Sequence, residues 1–344
     1  MASVTQIGPD APFDAVHMQL LHRFDDLVAE LGGDSAAIRR QAGLPAGAMA
    51  GQDADADAGY RYTVELFETA ARTLDCPDFG MRLARLQGVG ALGPLGLAMR
   101  HSRSFGDALD YVAHHNAAHS LAARIWLERD PAQGQVFAGH DILLDRMPNG
   151  NQAMEHILLL GDLAAQHFTG GRVRVRRVHF RHQPHAPLST YRRNFRCEVL
   201  FGEDRNGVVY SEEDLRCPVV SPDADTYDRV TAYIDRHFTQ RRPPLHAQVR
   251  GLVMQWLGTG TCTGARLAAA LNLHPRTLHR RLSAQGTTVQ KIKDQVRREM
   301  VLYYLTQTDM EVAQISERLG FAEQSVLTRC CQRWFAAPPT RLRQ

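Results

Sequence analysis

The chain has 344 residues, with 44% hydrophobic and 22% charged side chains and a formal net charge of +3. That length accommodates two domains, the composition is that of an ordinary globular protein, and no uncharged run reaches the ~18 apolar residues of a membrane helix. The opening MASVTQIGPDAPFDAVHMQLL has neither the basic start nor the apolar stretch of a signal peptide, so a cytoplasmic protein with no membrane partner is expected.

In chain order, residues 13–45 and 60–87 are predicted as helices, with the Ala/Asp/Gly-rich segment 46–59 a loop between them. A Gly-rich turn follows at 88–93, then a short helix from Pro94 and a longer one from about Ser104. Strand signals at 121–129 and 134–142 precede a helix over Asn151 to Phe168. The clearest strand is RVRVRRVHFRH, where Val173, Val175, Val178 and Phe180 lie among arginines. An amphipathic stretch from Asp225 to Phe238 then leads to QRRPPLHA at 240–247, whose two prolines make a stiff, non-helical joint.

Beyond that joint the pattern changes. In TGARLAAALNLHPRTLHRRL, residues 263–282, Ala265, Ala268, Ala269, Leu271 and Leu273 form a small apolar scaffold helix, and Asn272 supplies a turn residue tolerant of left-handed angles. Pro275 suits a first helical position, Leu278 and Leu282 face inward, and Arg276, Thr277, His279 and Arg280 are left to the outer side. A second unit repeats this layout in VAQISERLGFAEQSVLTRCCQRWF, residues 312–335. Val312, Ile315 and Leu319 are its scaffold, Gly320 its turn, Leu327 and Cys331 its inner face, and Gln324, Ser325 and Arg329 its outer one. Arginine pairs bidentately with guanine and glutamine with adenine, so these outer residues are candidates for base contacts in a major groove. Between the units, Val289, Ile292, Val296, Met300, Leu302, Tyr303 and Leu305 give a helical stripe of about twenty residues. At about 1.5 Å per residue that is roughly 30 Å, close to one turn of B-DNA.

Charge follows the same division. Residues 244–344 hold fourteen Arg and Lys against six Asp and Glu, a balance of +8 that leaves −5 on the rest. A basic end on a mildly acidic body is the electrostatic footprint of a DNA-binding module.

These residues resemble the AraC/XylS-type bacterial transcription regulators. The resemblance is carried by RTLHRRL at 276–282, RREMVLYYL at 297–305, the I-x-x-x-L-G-F-x-x-Q-S string from Ile315 to Ser325, and PPTRLR at 338–343. It implies that Arg276, His279 and Arg280 in helix-turn-helix 1 (263–284), and Gln324, Ser325 and Arg329 in helix-turn-helix 2 (311–335), contact base or phosphate, with Thr277 beside them on the outer face. His274 stands where the family commonly has an N-capping Ser, Ala322 where a Ser or Asp often begins the second recognition helix, and Ala336 where Gly is usual. The strings at 90–109 and 177–219 are similar to the arabinose-binding type of N-terminal domain, including that of regulators of ornithine use.

The resulting expectation is a mixed α/β effector-binding and oligomerisation domain over 1–239, a linker at 240–247, and an all-α DNA-binding domain over 244–344. Its two helix-turn-helix units would be joined by a long helix. The partners implied are double-stranded promoter DNA, RNA polymerase, a small-molecule effector and a second copy of the chain in a homodimer. Segments 90–119 and 151–168 are apolar enough either to line an effector pocket or simply to pack a core.

No catalytic constellation, cofactor motif or metal set is expected. GVGALG at 88–93 follows a helix rather than a strand, so it does not read as a dinucleotide loop. His115 and His119 are four apart but lack a third ligand. Cys76, Cys197, Cys217, Cys262, Cys330 and Cys331 show no C-x-x-C spacing and read for the most part as small buried hydrophobes, with a redox role at Cys197 or Cys217 as the alternative. Three other functions remain open. One is a regulator under partner control without a ligand. Another is a nonspecific architectural DNA binder. The third is a DNA-alkyl transferase fused to an AraC-like module, for which Cys197 lies in the wrong context, Phe-Arg-Cys-Glu rather than Pro-Cys-His.

Overall fold

The computed structural model describes residues 19–43, 59–145, 150–238 and 242–343. They fall into two compact units, one ending at Pro243 and the other formed by Pro244 onward together with Arg181–Gln183. The predicted loop at 46–59, apart from Gly59, and the first two residues of the predicted linker lie outside the described residues.

The first unit begins with α1 (Phe24–Glu30) and α2 (Ser35–Gln41) where one helix over 13–45 is predicted; residues 13–18, 44 and 45 lie outside the described set. Gly32, at φ 75°, stops the first helix, and the Asp34 carboxylate starts the second by accepting the N–H groups of Ala36 and Ala37. The helix predicted over 60–87 divides likewise into α3 (Tyr60–Thr73) and α4 (Phe79–Gln87), parted by Asp75 at φ 47° and Pro77. Phe24, Phe67 and Phe79 meet in the core, the first two rings stacked and the third edge-on to Phe24.

α5 (Gly93–His101) carries Pro94 in its first turn, and α6 (Phe105–His114) is capped by Ser104, whose hydroxyl accepts the Asp107 N–H. The hairpin β1 (Ala123–Asp130) and β2 (Gln135–Ile142) follows, then α7 (Asn151–Phe168), which spans the predicted residues and is buried nearly all round. The chain continues through β3 (Arg177–His179), α8 (Leu188–Phe195), β4 (Glu198–Leu200), β5 (Gly207–Ser211), α9 (Glu212–Arg216) and α10 (Ala224–His237).

The strand predicted over 172–182 is only three residues long. Val173 and Val175 are buried, but their N–H groups bond Thr169 Oγ1 and the Asp162 carboxylate instead of a neighbouring strand. The ladder begins only after the alternation changes phase between Val175 and Val178.

The five strands form one sheet in the order β1-β2-β5-β3-β4, antiparallel except for the parallel β3–β4 pair. Val136, Ala138, Val178, Val208 and Tyr210 face the helices and join the main core. Trp126, Phe137 and Val209 form a separate small cluster on the opposite face, over which the Arg205 guanidinium lies 3.9 Å from the Phe137 ring centre. Gly139 opposes Trp126 across the hairpin, and any Cβ there would fall 2.2 Å from the indole.

Every regular element among the described residues of the second unit is helical. The unit comprises α11 (Leu245–Trp256), α12 (Gly264–Ala270), α13 (Pro275–Ala284), α14 (Val289–Gln307), α15 (Val312–Arg318), α16 (Gln324–Phe335) and α17 (Pro339–Leu342). The mixed α/β domain followed by an all-α domain is thus the architecture of the chain. No described helix is long and apolar enough to cross a membrane.

Candidate nucleic-acid interface

α12 and α13 make the first helix-turn-helix. Thr263 caps α12 through the Arg266 N–H, and Asn272, at φ 53°, turns the chain as its side chain permits. The scaffold differs in detail from the predicted one. Leu267 and Ala268 are its buried anchors, whereas Ala265 and Ala269 are exposed. Their phase on α12 places them on the solvent side.

His274 does the work of the Ser it replaces, its Nδ1 accepting the Arg276 N–H at 3.3 Å. The first turn of α13 is therefore capped despite the departure from Ser. Leu278 and Leu282 anchor α13 in the core, which turns Arg276, His279 and Arg280 into solvent with Thr277 partly covered beside them. None of the Arg276, His279 or Arg280 side chains has a hydrogen bond or ion pair among the described residues.

α15 and α16 form the second unit. Ile315 and Ser316 are buried on α15 and Leu319 at its C-terminal cap, and the Glu311 N–H donates to the Gln314 side-chain oxygen, which reaches back to it. Gly320 makes the turn at φ 62°, where a side chain would also strike the Leu257 carbonyl at 2.6 Å. Leu327 and Cys331 fix the inner face of α16, and Gln324, Ser325 and Arg329 are all exposed. The helix starts one residue later than the family pattern suggests, with Glu323 rather than Ala322 in the capping position and no side-chain cap made. The Ser325 hydroxyl donates to the Glu323 carboxylate at 3.0 Å, whereas the Arg329 side chain has no partner among the described residues.

α14, at 19 residues, joins the two units. Ile292, Val296, Val301, Tyr304 and Leu305 are its buried side chains, while Leu302, predicted to face inward, is 41% exposed. At about 100° per residue Val301, Tyr304 and Leu305 lie on roughly the opposite side of the helix from Ile292 and Val296, so the two halves of α14 bury different faces.

One organising residue has no role assigned in the sequence reading, although it opens the RREMVLYYL string. Arg297 on α14 donates to the carbonyls of Leu319, at 3.0 Å, and Gly320, at 2.6 Å, and its guanidinium lies 4.6 Å from the Phe321 ring centre. It therefore satisfies the C-terminal carbonyls of α15 and ties the turn before α16 to the connecting helix. Its sequence signals are its place at the head of RREMVLYYL and its position beside the inward stripe, neither of which specifies the carbonyls it binds.

The arrangement is two short helix pairs, each presenting unpaired cationic or amide side chains from the first turns of its second helix, in a segment of net charge +8. The model of the arabinose-binding domain of AraC transcription regulators matches residues 32–219, and a helix-turn-helix domain model matches 267–344. The chain belongs to the AraC family.

This AraC-family chain is 32% identical to the HTH-type transcriptional regulator VirS of Mycobacterium tuberculosis, over 93% of its own length and 94% of that protein. It is 25% identical to the ornithine utilization regulator of Pseudomonas aeruginosa, over 93% of each. A crystal structure of the transcriptional regulator CdpR from Pseudomonas aeruginosa covers 78% of the chain at 20% identity and a TM-score of 0.40, too low to bear on the fold. The AraC-family chain is a DNA-binding transcription regulator with an arabinose-binding-type N-terminal domain, and its relatives are regulators rather than enzymes.

The histidines and cysteines singled out in the sequence have other surroundings. His115 stacks on Tyr111 and faces Asp235, while His119 is buried beside Tyr60 and His140. Among the described residues no group of His, Cys, Asp and Glu could hold a metal ion. Burial pushes the Cys197 thiol up to about 12, which keeps it protonated and poorly nucleophilic.

Proposed function

We propose that both helix-turn-helix units read promoter DNA in adjacent major grooves, through Arg276, Thr277, His279 and Arg280 on α13 and Gln324, Ser325 and Arg329 on α16. The observation that carries this reading is the set of unpaired, solvent-facing guanidinium groups at Arg276, Arg280 and Arg329, each on a helix whose opposite face is fixed in the core. An unpaired guanidinium keeps its fork of donors free for guanine O6 and N7 or for phosphate. Nineteen residues of α14, at about 1.5 Å each, span roughly 28 Å, which suits recognition helices entering grooves one turn apart.

The first unit is the effector-binding and dimerisation half. A small molecule binding it would favour one of two arrangements of the DNA-binding units, and with them promoter occupancy and contact with RNA polymerase in the cytoplasm. A homodimer would place four recognition helices on one operator.

Fluorescence anisotropy of the full chain on DNA from upstream of its own gene, against a scrambled duplex, tests the reading. Specific binding should exceed scrambled binding by at least a hundredfold at physiological salt. Equal affinity with the same salt slope would identify a nonspecific binder instead.

A further inference from the structure

The two recognition helices carry no negative charge except at the start of the second. Across Pro275–Ala284, Gln324–Phe335 and the residue that precedes each, Glu323 is the one acidic side chain, in a segment whose net charge is +8. A carboxylate is repelled by the phosphate backbone, so its presence at the tip of a groove-facing helix weakens binding to DNA in general.

Glu323 does not serve α16 as a cap. It stands in the capping position with extended backbone, yet its side chain accepts none of the first-turn N–H groups. It is exposed and makes no ion pair among the described residues. Its side-chain partner is Ser325, whose hydroxyl donates to Glu323 Oε2 at 3.0 Å.

That bond decides what the pair can offer a base. A hydroxyl has one hydrogen, and Ser325 directs it to the carboxylate, so Ser325 is left with lone pairs and Glu323 with a free Oε1. Both residues are then acceptors. In the major groove each base pair carries one amino donor, cytosine N4 or adenine N6, and its other polar atoms accept.

We propose that Glu323 and Ser325 form an acceptor pair that selects the exocyclic amino group of one base in the groove read by α16. The hydroxyl restrains one carboxylate oxygen at the helix end that approaches the base edges. Glutamate accepts from cytosine N4, and adenine N6 presents the same donor. The carboxylate discriminates in both senses, gaining where an amino group faces it and repelling guanine O6, thymine O4 and phosphate where none does. The assignment rests on α16 reading DNA.

Site selection by the full-length protein from a randomised duplex pool locates the base pair, and anisotropy on duplexes lacking one amino group tests the contact. In these duplexes the selected cytosine is replaced by 2-pyrimidinone, or the selected adenine by purine. Wild-type binding should weaken about tenfold on the analogue that removes the contacted amino group, whereas Glu323→Ala should bind parent and analogue alike. The analogue that weakens binding identifies the base. Glu323→Ala should also bind scrambled duplex more tightly than wild type, because a negative charge is withdrawn from the phosphates. Glu323→Asp supplies a better cap with a shorter reach, so it should keep the melting temperature and lose the discrimination.

Equal wild-type binding to parent and analogue, or a loss in Glu323→Ala that is uniform over cognate, substituted and scrambled duplexes, would overturn the assignment. A box degraded by Arg329→Ala in which no position responds to Glu323→Ala would refute the amino contact and leave the reading of DNA by α16 intact. A pool with no box dependent on Arg329 would remove both.

Discussion

Arg280 and Arg329 occupy the sixth position of their recognition helices, but they are differently supported. Arg280 follows a capped first turn in which His274 holds the Arg276 N–H, whereas Arg329 follows a turn with no side-chain cap. A missing cap costs ~1 kcal/mol and loosens the turn that aims the contact. Arg280→Ala should therefore cost ~1–3 kcal/mol on the cognate site and relax preference at one base. Arg329→Ala should cost less and leave preference broader but intact. Anisotropy with both variants on cognate and singly substituted duplexes measures this, and equal losses would refute the ranking. Ala336 closes α16 at φ 55°, where an L side chain is strained by ~1 kcal/mol or more. Ala336→Gly should accordingly stabilise the second unit by up to ~1 kcal/mol in urea melts. The outer faces of α13 and α16 were legible because leucines four apart fix which side is buried. The capping ability of His274 was not, since a histidine accepts only through the ring nitrogen that its local geometry presents.

At the scale of elements, α14 both spaces the two units and, through Arg297, clamps the second. Arg297→Ala would free two carbonyls from a charge-assisted donor and should cost ~1.5–3 kcal/mol of second-unit stability, with Arg297→Lys recovering only part. Hydrogen exchange at 319–327 should rise in the alanine variant and stay low at 276–282; uniform loosening would contradict a local clamp. Within the first unit, α7 carries Glu155, which burial pushes up to about 8 and which accepts the Tyr191 hydroxyl at 2.6 Å. The folded state thus holds a proton that the unfolded chain releases above about 4.5, so this contribution is lost as pH rises through 8. Burial drives His140 down to about 4 and His156 to about 3, so their contribution is present above 6.5 and lost as pH falls. Stability of the first unit should peak near pH 6.5, and Glu155→Gln should remove its decline toward pH 8; an unchanged decline in the variant's melting curves would refute the assignment. Element identity was readable wherever a cap or glycine marked an end, as at Ser104 and Gly320. It was not readable at 172–182, where a side-chain hydroxyl and a carboxylate take the backbone N–H groups that a ladder would have used.

For the whole molecule, two compact units parting at Pro243–Pro244 match the change in charge sign along the chain. That division was open to sequence reasoning because proline pairs and net charge are local quantities. An open cleft of the first unit beside α6 and α10 was not, since Asp107, Tyr111 and Asp228 come together only through the tertiary packing of segments more than a hundred residues apart. The central claim is that one chain reads two grooves. The most direct test is selection of bound sites by the full-length protein from a randomised duplex pool. The account predicts an enriched motif of two boxes about one helical turn, 10–10.5 bp, apart, with Arg280→Ala degrading one box and Arg329→Ala the other. A single enriched box, or a pool with no enriched motif, would contradict it.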